Sequence, residues 1–213
     1  MVGINDCKGN VFHLVDGKKK EIESYSYWRG MMTRVYKRNS PTYKDVTVCK
    51  EWHRFSNFKK WFDENYYTIE GYKMSLDKDI LKPNNNIYCP EYCCFVPLGL
   101  NAAFSNKQRN NKTGYTGVNK GRRRGYTSFI KINGKNKNLG TFETKEDAYF
   151  AYCKARNNHI SSLADKFKEF LPENVYLAMK NYDEYERFLG HANNELNNRA
   201  DELCNIAMDE FRG

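Results

Sequence analysis

The sequence predicts an α+β fold, and three features predict it. From Tyr126 to Ile132 runs a stretch dense in aromatic and β-branched residues, followed by Asn133-Gly134 and then by residues 135–142. Asn-Gly is a strong signal for an antiparallel hairpin, because both central residues of a type I′ turn need positive φ. Directly afterwards, Thr144 with Asp147 three positions on opens a helical segment, in which Ala148, Ala151, Tyr152, Ala155, His159 and Leu163 share a face. Its small residues let such a helix lie close on a sheet. In the front half, Trp28, Met31, Met32 and Val35 recur at helical spacing, as do Trp52, Phe55, Phe58 and Phe62.

Taken in order, residues 1–23 predict a short strand pair, with residues 11–15 before the turn Asp16-Gly17 and a lysine run after it. A helix is expected over 25–36. A loop and short strand follow over 42–49, then a second helix over 51–65 whose aromatic stripe reads as core packing rather than base stacking. Residues 72–81 and 87–96 predict two strands around the loop 82–86, and 98–105 a short helix. After the Thr144 helix, Pro172 opens a helix with Val175, Met179, Tyr182 and Leu189 on one face, and Gly190 is a good stop for it. Residues 194–211 predict a last helix. The resulting division is a front domain over 1–105, a basic, Asn-rich linker over 106–113, a sheet-and-helix domain over 114–168, and a helical tail over 169–213.

Charge is concentrated in one place. The 213 residues carry a formal net charge of +9, yet residues 92–142 contain no Asp or Glu and ten Lys or Arg. The residues before that stretch sum to +4 and those after it to −5. An acid-free surplus on a predicted sheet and its approach favours a polyanion partner. A membrane surface is disfavoured, because no basic amphipathic helix carries the charge. No apolar run approaches the ~20 residues that span a bilayer. The first ten residues lack the apolar core of an export signal, and seven cysteines is an odd count, so reduced thiols and a cytoplasmic location are expected. Cys49, His53, Cys89, Cys93 and Cys94 form no paired C-x2-C set, which favours buried free thiols over zinc.

Tyr115, Gly117-Val118, Leu139-Gly140-Thr141-Phe142, Thr144, Asp147-Ala148, Ala151-Tyr152 and Ala155 together resemble the Apetala-2 (AP2)-type DNA-binding domain of plant ethylene-response factors and many phage proteins. The resemblance covers about fifty residues in one register. It implies a three-stranded antiparallel sheet lying in the DNA major groove with the helix behind it. Carried over by position, the groove face is Thr116, Asn119, Thr127, Phe129, Lys131, Asn136 and Asn138. Lys120, Arg122, Arg123 and Arg124 fall at the connection between the first two strands, where phosphate contact is expected.

The front half carries a second resemblance. The strings Trp28 with Arg34-Val35-Tyr36, Tyr43 to Trp52, Phe55-Ser56-Asn57-Phe58, Ser75 to Ile80 and Ile87 to Pro97 are similar to phage HNH endonuclease proteins, which often carry an Apetala-2-type module after the nuclease domain. The resemblance implies a ββα finger around one divalent metal such as magnesium. In it a histidine ends the first strand as general base, an Asn orients that histidine, and a His or Asn on the helix helps hold the metal. Here the first-strand position is Lys78 or Asp79, the orienting position is Tyr92, and the helix offers Asn101. His13, His53, His159 and His191 all lie outside the hairpin. The candidate catalytic set is therefore Asp77, Lys78, Asp79 and Asn101, with Asp77, Asp79 and Asn101 as metal ligands. A lysine ammonium or a carboxylate does not take a proton from water as a neutral imidazole does, so DNA binding with little or no cleavage is expected. This resembles a homing-type endonuclease without its catalytic histidine. The alternatives are a non-catalytic transcriptional regulator and a phage protein that binds and inhibits a host factor. The partners implied are duplex DNA, a host protein and a second copy through the C-terminal helices; for a phage-encoded chain the location is the host cytoplasm.

Overall fold

A computed structural model describes residues 3–7, 9, 11–37, 41–104, 112–121 and 124–189. The chain is mixed α+β and divides into two units, Met1–Phe104 and Ser105–Gly213.

The front unit begins with an antiparallel hairpin of β1 (Phe12–Val15) and β2 (Lys18–Glu21). Helix α1 (Glu23–Tyr36) follows, burying Trp28, Met31 and Met32. Next come β3 (Thr47–Val48), a 3-10 turn (Glu51–His53) and α2 (Phe55–Asn65). The remaining elements are β4 (Met74–Asp77), β5 (Ile87–Tyr88), β6 (Cys94–Pro97) and α3 (Leu98–Phe104). The aromatic stripe of α2 is core. Phe55, Phe58 and Phe62 are buried, and Phe62 meets Phe95 of β6 edge-on at 5.3 Å.

Two expected elements of this unit are broken, each for a physical reason. The helix expected over 51–65 is interrupted at Arg54, whose backbone is extended. Residues 4–6 run alongside there: Ile4 N donates to the His53 carbonyl, Phe55 N donates to the Ile4 carbonyl, and the Asp6 carboxylate accepts from Ser56 N at 2.9 Å. Asp6 thus caps α2 from far away in sequence, and its bonds to Ser56 hold its carboxyl below the usual range. The strand expected over 87–96 is two strands. β5 pairs in parallel with β3, while β6 pairs antiparallel with β4. Pro90 lies between them and cannot donate to a ladder, and Cys93 N turns back onto the Cys89 carbonyl. Cys89, Cys93 and Cys94 are buried thiols, and burial pushes all three up.

In the second unit, β7 (Val118–Lys120), β8 (Tyr126–Ile132) and β9 (Lys135–Phe142) form an antiparallel sheet in that order, and α4 (Lys145–Phe167) packs on one side of it. The turn Asn133-Gly134 has φ of 49° and 78°, as a type I′ turn requires. Thr144 caps α4 by accepting from Asp147 N at 3.1 Å. Val118 and Ile130 of the sheet meet Ala148, Tyr149, Tyr152 and Cys153 of the helix. The buried surface of α4 is displaced from the expected face, of which Ala148 and Tyr152 are buried while Ala151, Ala155, His159 and Leu163 are half-buried. It also takes in Arg156, Ile160, Ala164 and Phe167, because α5 (Glu173–Lys180) and residues 184–189 cover a second side.

The helix expected to run from Pro172 to Gly190 stops at Lys180 and restarts at residue 184. Asp183 Oδ1 accepts from Tyr185 N at 2.8 Å, capping the new start. Asp183-Glu184-Tyr185-Glu186 is the sequence signal for that start, a capping-box spacing. Leu189 is exposed, while Val175, Met179 and Tyr182 are buried. The helix expected over 194–211, and with it most of the surface assigned to a homodimer, lies outside the described residues.

Gly117 sets how closely α4 approaches the sheet. Its φ is +74°, and a Cβ there would stand 2.3 Å from the Tyr152 ring and 2.7 Å from the Phe129 carbonyl. Gly117→Ala should cost roughly 2–4 kcal/mol through backbone strain and overpacking, measured by denaturant unfolding. A change under about 0.5 kcal/mol, the range of ordinary surface substitutions, would show that this approach is not tight.

Candidate nucleic-acid interface

Strand register sorts the sheet residues into two faces. Val118 lies opposite Ser128, and Ile130 is buried two positions further along β8, so this side faces α4. On the other side Asn119 lies opposite Thr127, Phe129 opposite Asn138, and Lys131 opposite Asn136. Six of the residues expected on a groove face are thus brought together as three cross-strand pairs. Asn119, Lys131, Asn136 and Asn138 are exposed, and Thr127 and Phe129 are half-buried. Thr141, opposite Thr127 and exposed, joins the same face. Sequence reasoning missed it because a β-bulge intervenes. The register shifts between Ser128 and Phe129, which leaves Leu139 without a cross-strand partner and packed toward the core. Asn138 Oδ1 accepts from Gly140 N at 2.9 Å, where Gly140 has φ of +127°. That bond secures the bulge and leaves the Asn138 NH2 free of partners among the described residues.

Lys120 is exposed and lies opposite Tyr126, so it follows the helix-side register at the end of β7. Arg124 is exposed just before β8. Arg122 and Arg123 lie outside the described residues. Thr116 is half-buried in the turn that leads into β7. The open face therefore presents amides, hydroxyls, one aromatic ring and an ammonium, with no carboxylate from its own strands.

The front-unit candidates are engaged differently. The strands β4 and β6 pair, and α3 follows β6 directly. Asp77 is buried, and its Oδ1 accepts from Asp79 N at 2.7 Å and Ile80 N at 2.8 Å, ending β4 in a side-chain-capped turn. Lys78 is also buried, and its ammonium donates to the Asn85 carbonyl and to Asp79 Oδ1 at 2.7 Å. Asn85, which sequence reasoning passed over, closes the loop by bonding Lys78 O, Ile87 O and Ile87 N. Asn101 donates to Ser75 Oγ at 2.8 Å. At the orienting position, Tyr92 has the Lys82 ammonium over its ring at 4.2 Å. An ammonium thus pairs with Asp79, one oxygen of Asp77 is engaged by backbone amides, and the Asn101 amide nitrogen by Ser75, contacts that compete with a divalent cation for these groups. Among the described residues no group of three or more His, Cys, Asp or Glu is placed to hold a metal ion. No described helix is long and apolar enough to cross a membrane.

Asp77 carries a pH signature. Burial pushes its carboxyl up to about 6, with the Asp79 charge adding to this and the Asp79 and Ile80 amides opposing it. The folded state therefore keeps a proton that the unfolded chain releases. Its contribution to stability is complete below about pH 4 and is lost as pH rises through about 6, a span worth about 3 kcal/mol. Asp77→Asn retains the accepting oxygen and removes the titration. Relative to the parent, the variant should gain about 3 kcal/mol between about pH 4 and about pH 7 in urea unfolding. A difference independent of pH would show that the carboxyl does not titrate in this window.

Comparison with family models, with curated proteins and with solved structures found no match to this chain.

Proposed function

We propose that this chain is a duplex DNA-binding protein whose β7–β9 sheet lies in the major groove, with the front unit a nuclease-like ββα scaffold that does not cleave. One observation carries the reading: the pairs Asn119–Thr127, Phe129–Asn138 and Lys131–Asn136 form an open, acid-free face on the sheet side away from α4. The dimensions suit it. Strands about 4.8 Å apart make a three-stranded sheet about 10 Å between its outer strands, against a groove about 12 Å wide. The chemistry suits it too. Asn amides match the donor–acceptor pair of adenine, Lys131 suits the guanine acceptors, and Thr127, Thr141 and Phe129 suit thymine methyl groups. Lys120 and Arg124, at the sheet's end, suit phosphates.

Binding without cleavage is favoured over the nuclease reading by the hydrogen bonds that occupy Asp77, Lys78 and Asn101. The test is an electrophoretic shift assay on random duplex DNA with and without magnesium, alongside plasmid nicking in magnesium or manganese. The expected result is a shift that does not need the metal, and no nicking. Nicking by the parent that disappears in Asp77→Ala, Asp79→Ala or Asn101→Ala would overturn the non-cleaving reading, and absence of any shift would overturn DNA binding.

The two kinds of contact separate by mutation. Lys120→Ala with Arg124→Ala should weaken binding to all sequences alike. Lys131→Ala or Asn138→Ala should change which sequences a selection from random duplexes recovers, with about 1–3 kcal/mol of discrimination lost per lost base contact. The same recovered sequences from both sets of variants would contradict this division.

A further inference from the structure

The hairpin β1–β2 projects from the front unit with little of its own to bury. Every residue of β1 is exposed, as are Lys18, Lys19 and Lys20 of β2, and Leu14 is 71% exposed. Two strands alone are marginal in water, and large apolar side chains left this open mark a contact surface. The hairpin is nonetheless well specified. Asp16 and Gly17 have φ of 49° and 72°, fitting a type I′ turn. Its base is tied down by Ile22 N donating to the Val11 carbonyl at 2.9 Å, with Val11 buried.

Register distributes charge on both faces. Leu14 lies opposite Lys19 on one face; His13 opposite Lys20 and Val15 opposite Lys18 lie on the other. Glu21, at the base, is neutralised by Arg29 at 2.9 Å. Among the described residues the three lysines make no ion pair. The result is a narrow ribbon with an ammonium beside an apolar side chain on each face.

We propose that this hairpin is a second DNA contact, an arm that enters a groove of the duplex, with its lysines on phosphates and Leu14 and Val15 against base edges and sugars. The proposal rests on the DNA-binding reading above and extends it to the front unit. Lysines on both faces single out the partner. A groove is walled by phosphates on two sides, whereas an anionic bilayer is charged on one, and a flat surface would leave one face of the ribbon unused. A two-stranded ribbon is also of a size that the major groove admits, and apolar side chains on DNA-bound elements pack against methyl groups or between base steps.

The test uses the full chain, with Lys18→Ala, Lys19→Ala and Lys20→Ala combined in one variant and Leu14→Ser in another. Because these residues are exposed, both variants should unfold at the parent's denaturant midpoint. The triple variant should flatten the log–log salt dependence of binding by about 0.9 per lost phosphate contact, and so by about 2–3 in all. It should shorten the hydroxyl-radical footprint while keeping the parent's sequence preference. Leu14→Ser should weaken binding several-fold with the salt slope unchanged. A parent that binds DNA, with a triple variant of unchanged slope and footprint, overturns the arm and leaves the sheet reading standing. A parent that binds no DNA overturns both. Binding to phosphatidylserine–phosphatidylcholine vesicles that the triple variant loses, with its DNA binding intact, also overturns the arm and assigns it to a membrane surface.

Discussion

Affinity for duplex DNA should fall about a thousandfold as salt rises from about 50 to about 200 mM, if about six phosphates are contacted. Ten cations and no acid between residues 92 and 142 motivate the expectation. Each neutralised phosphate releases condensed counterions, and that release is worth less as bulk salt rises, giving a slope of about −0.9 per contact. The acid-free stretch matters more than the net charge of +9, because residues 143–213 sum to −5 and contribute nothing attractive. Fluorescence anisotropy on one duplex across a salt series reads the slope directly. Affinity that stays constant over this range would overturn the electrostatic argument that phosphate contacts dominate the binding.

Glu184→Ala should destabilise the second unit by about 3–5 kcal/mol, the usual cost of removing one partner of a buried ion pair. Glu184 is 2% exposed and Arg156 7%. Arg156 Nε donates to Glu184 Oε2 at 3.0 Å, the Tyr182 hydroxyl donates to the same oxygen, and Glu184 N donates to Asn157 Oδ1 at 3.0 Å. Burial works against the Arg156 charge, but Tyr152, Tyr182 and Glu184 more than offset it and raise its pKa further. Removing Glu184 leaves that guanidinium desolvated without its carboxylate. Replacing the pair together, Arg156→Met with Glu184→Leu, should recover most of the loss, since a well-packed apolar pair spares both desolvation penalties. Urea unfolding of the two single variants and the double variant measures the coupling. Additive losses would mean that the two side chains do not act as a pair. The network also holds residues 184–189 against α4, where Phe188 packs on the same core as Val118 and Ile130. Glu184→Ala should therefore also weaken the support behind the β7–β9 sheet.

The sequence by itself determined the elements whose signals are local. Asn133-Gly134 demanded positive φ and made the β8–β9 hairpin, Thr144 and Asp147 started α4, and period-two alternation along β8 put Thr127, Phe129 and Lys131 on one side. The aromatic period of α2 marked its buried stripe for the same reason. What depended on contacts between distant residues was not legible. The start of α2 is set by Asp6, and β5 pairs with β3 across nearly forty residues. The bulge at Leu139 brings Thr141 onto the open face. Asp77, Asp79 and Asn101 read as candidate metal ligands, and Lys78 as a candidate at the general-base position, from residue type alone; the backbone amides, the Asn85 carbonyl, the Lys78–Asp79 pair and Ser75 that engage them belong to the tertiary structure. The break before Asp183 had a capping signal, but its consequence, a carboxylate carried onto Arg156, exists only once α4 and the following segment pack together. A side chain's residue type states which bonds it can make; only the tertiary structure decides which partner reaches it first.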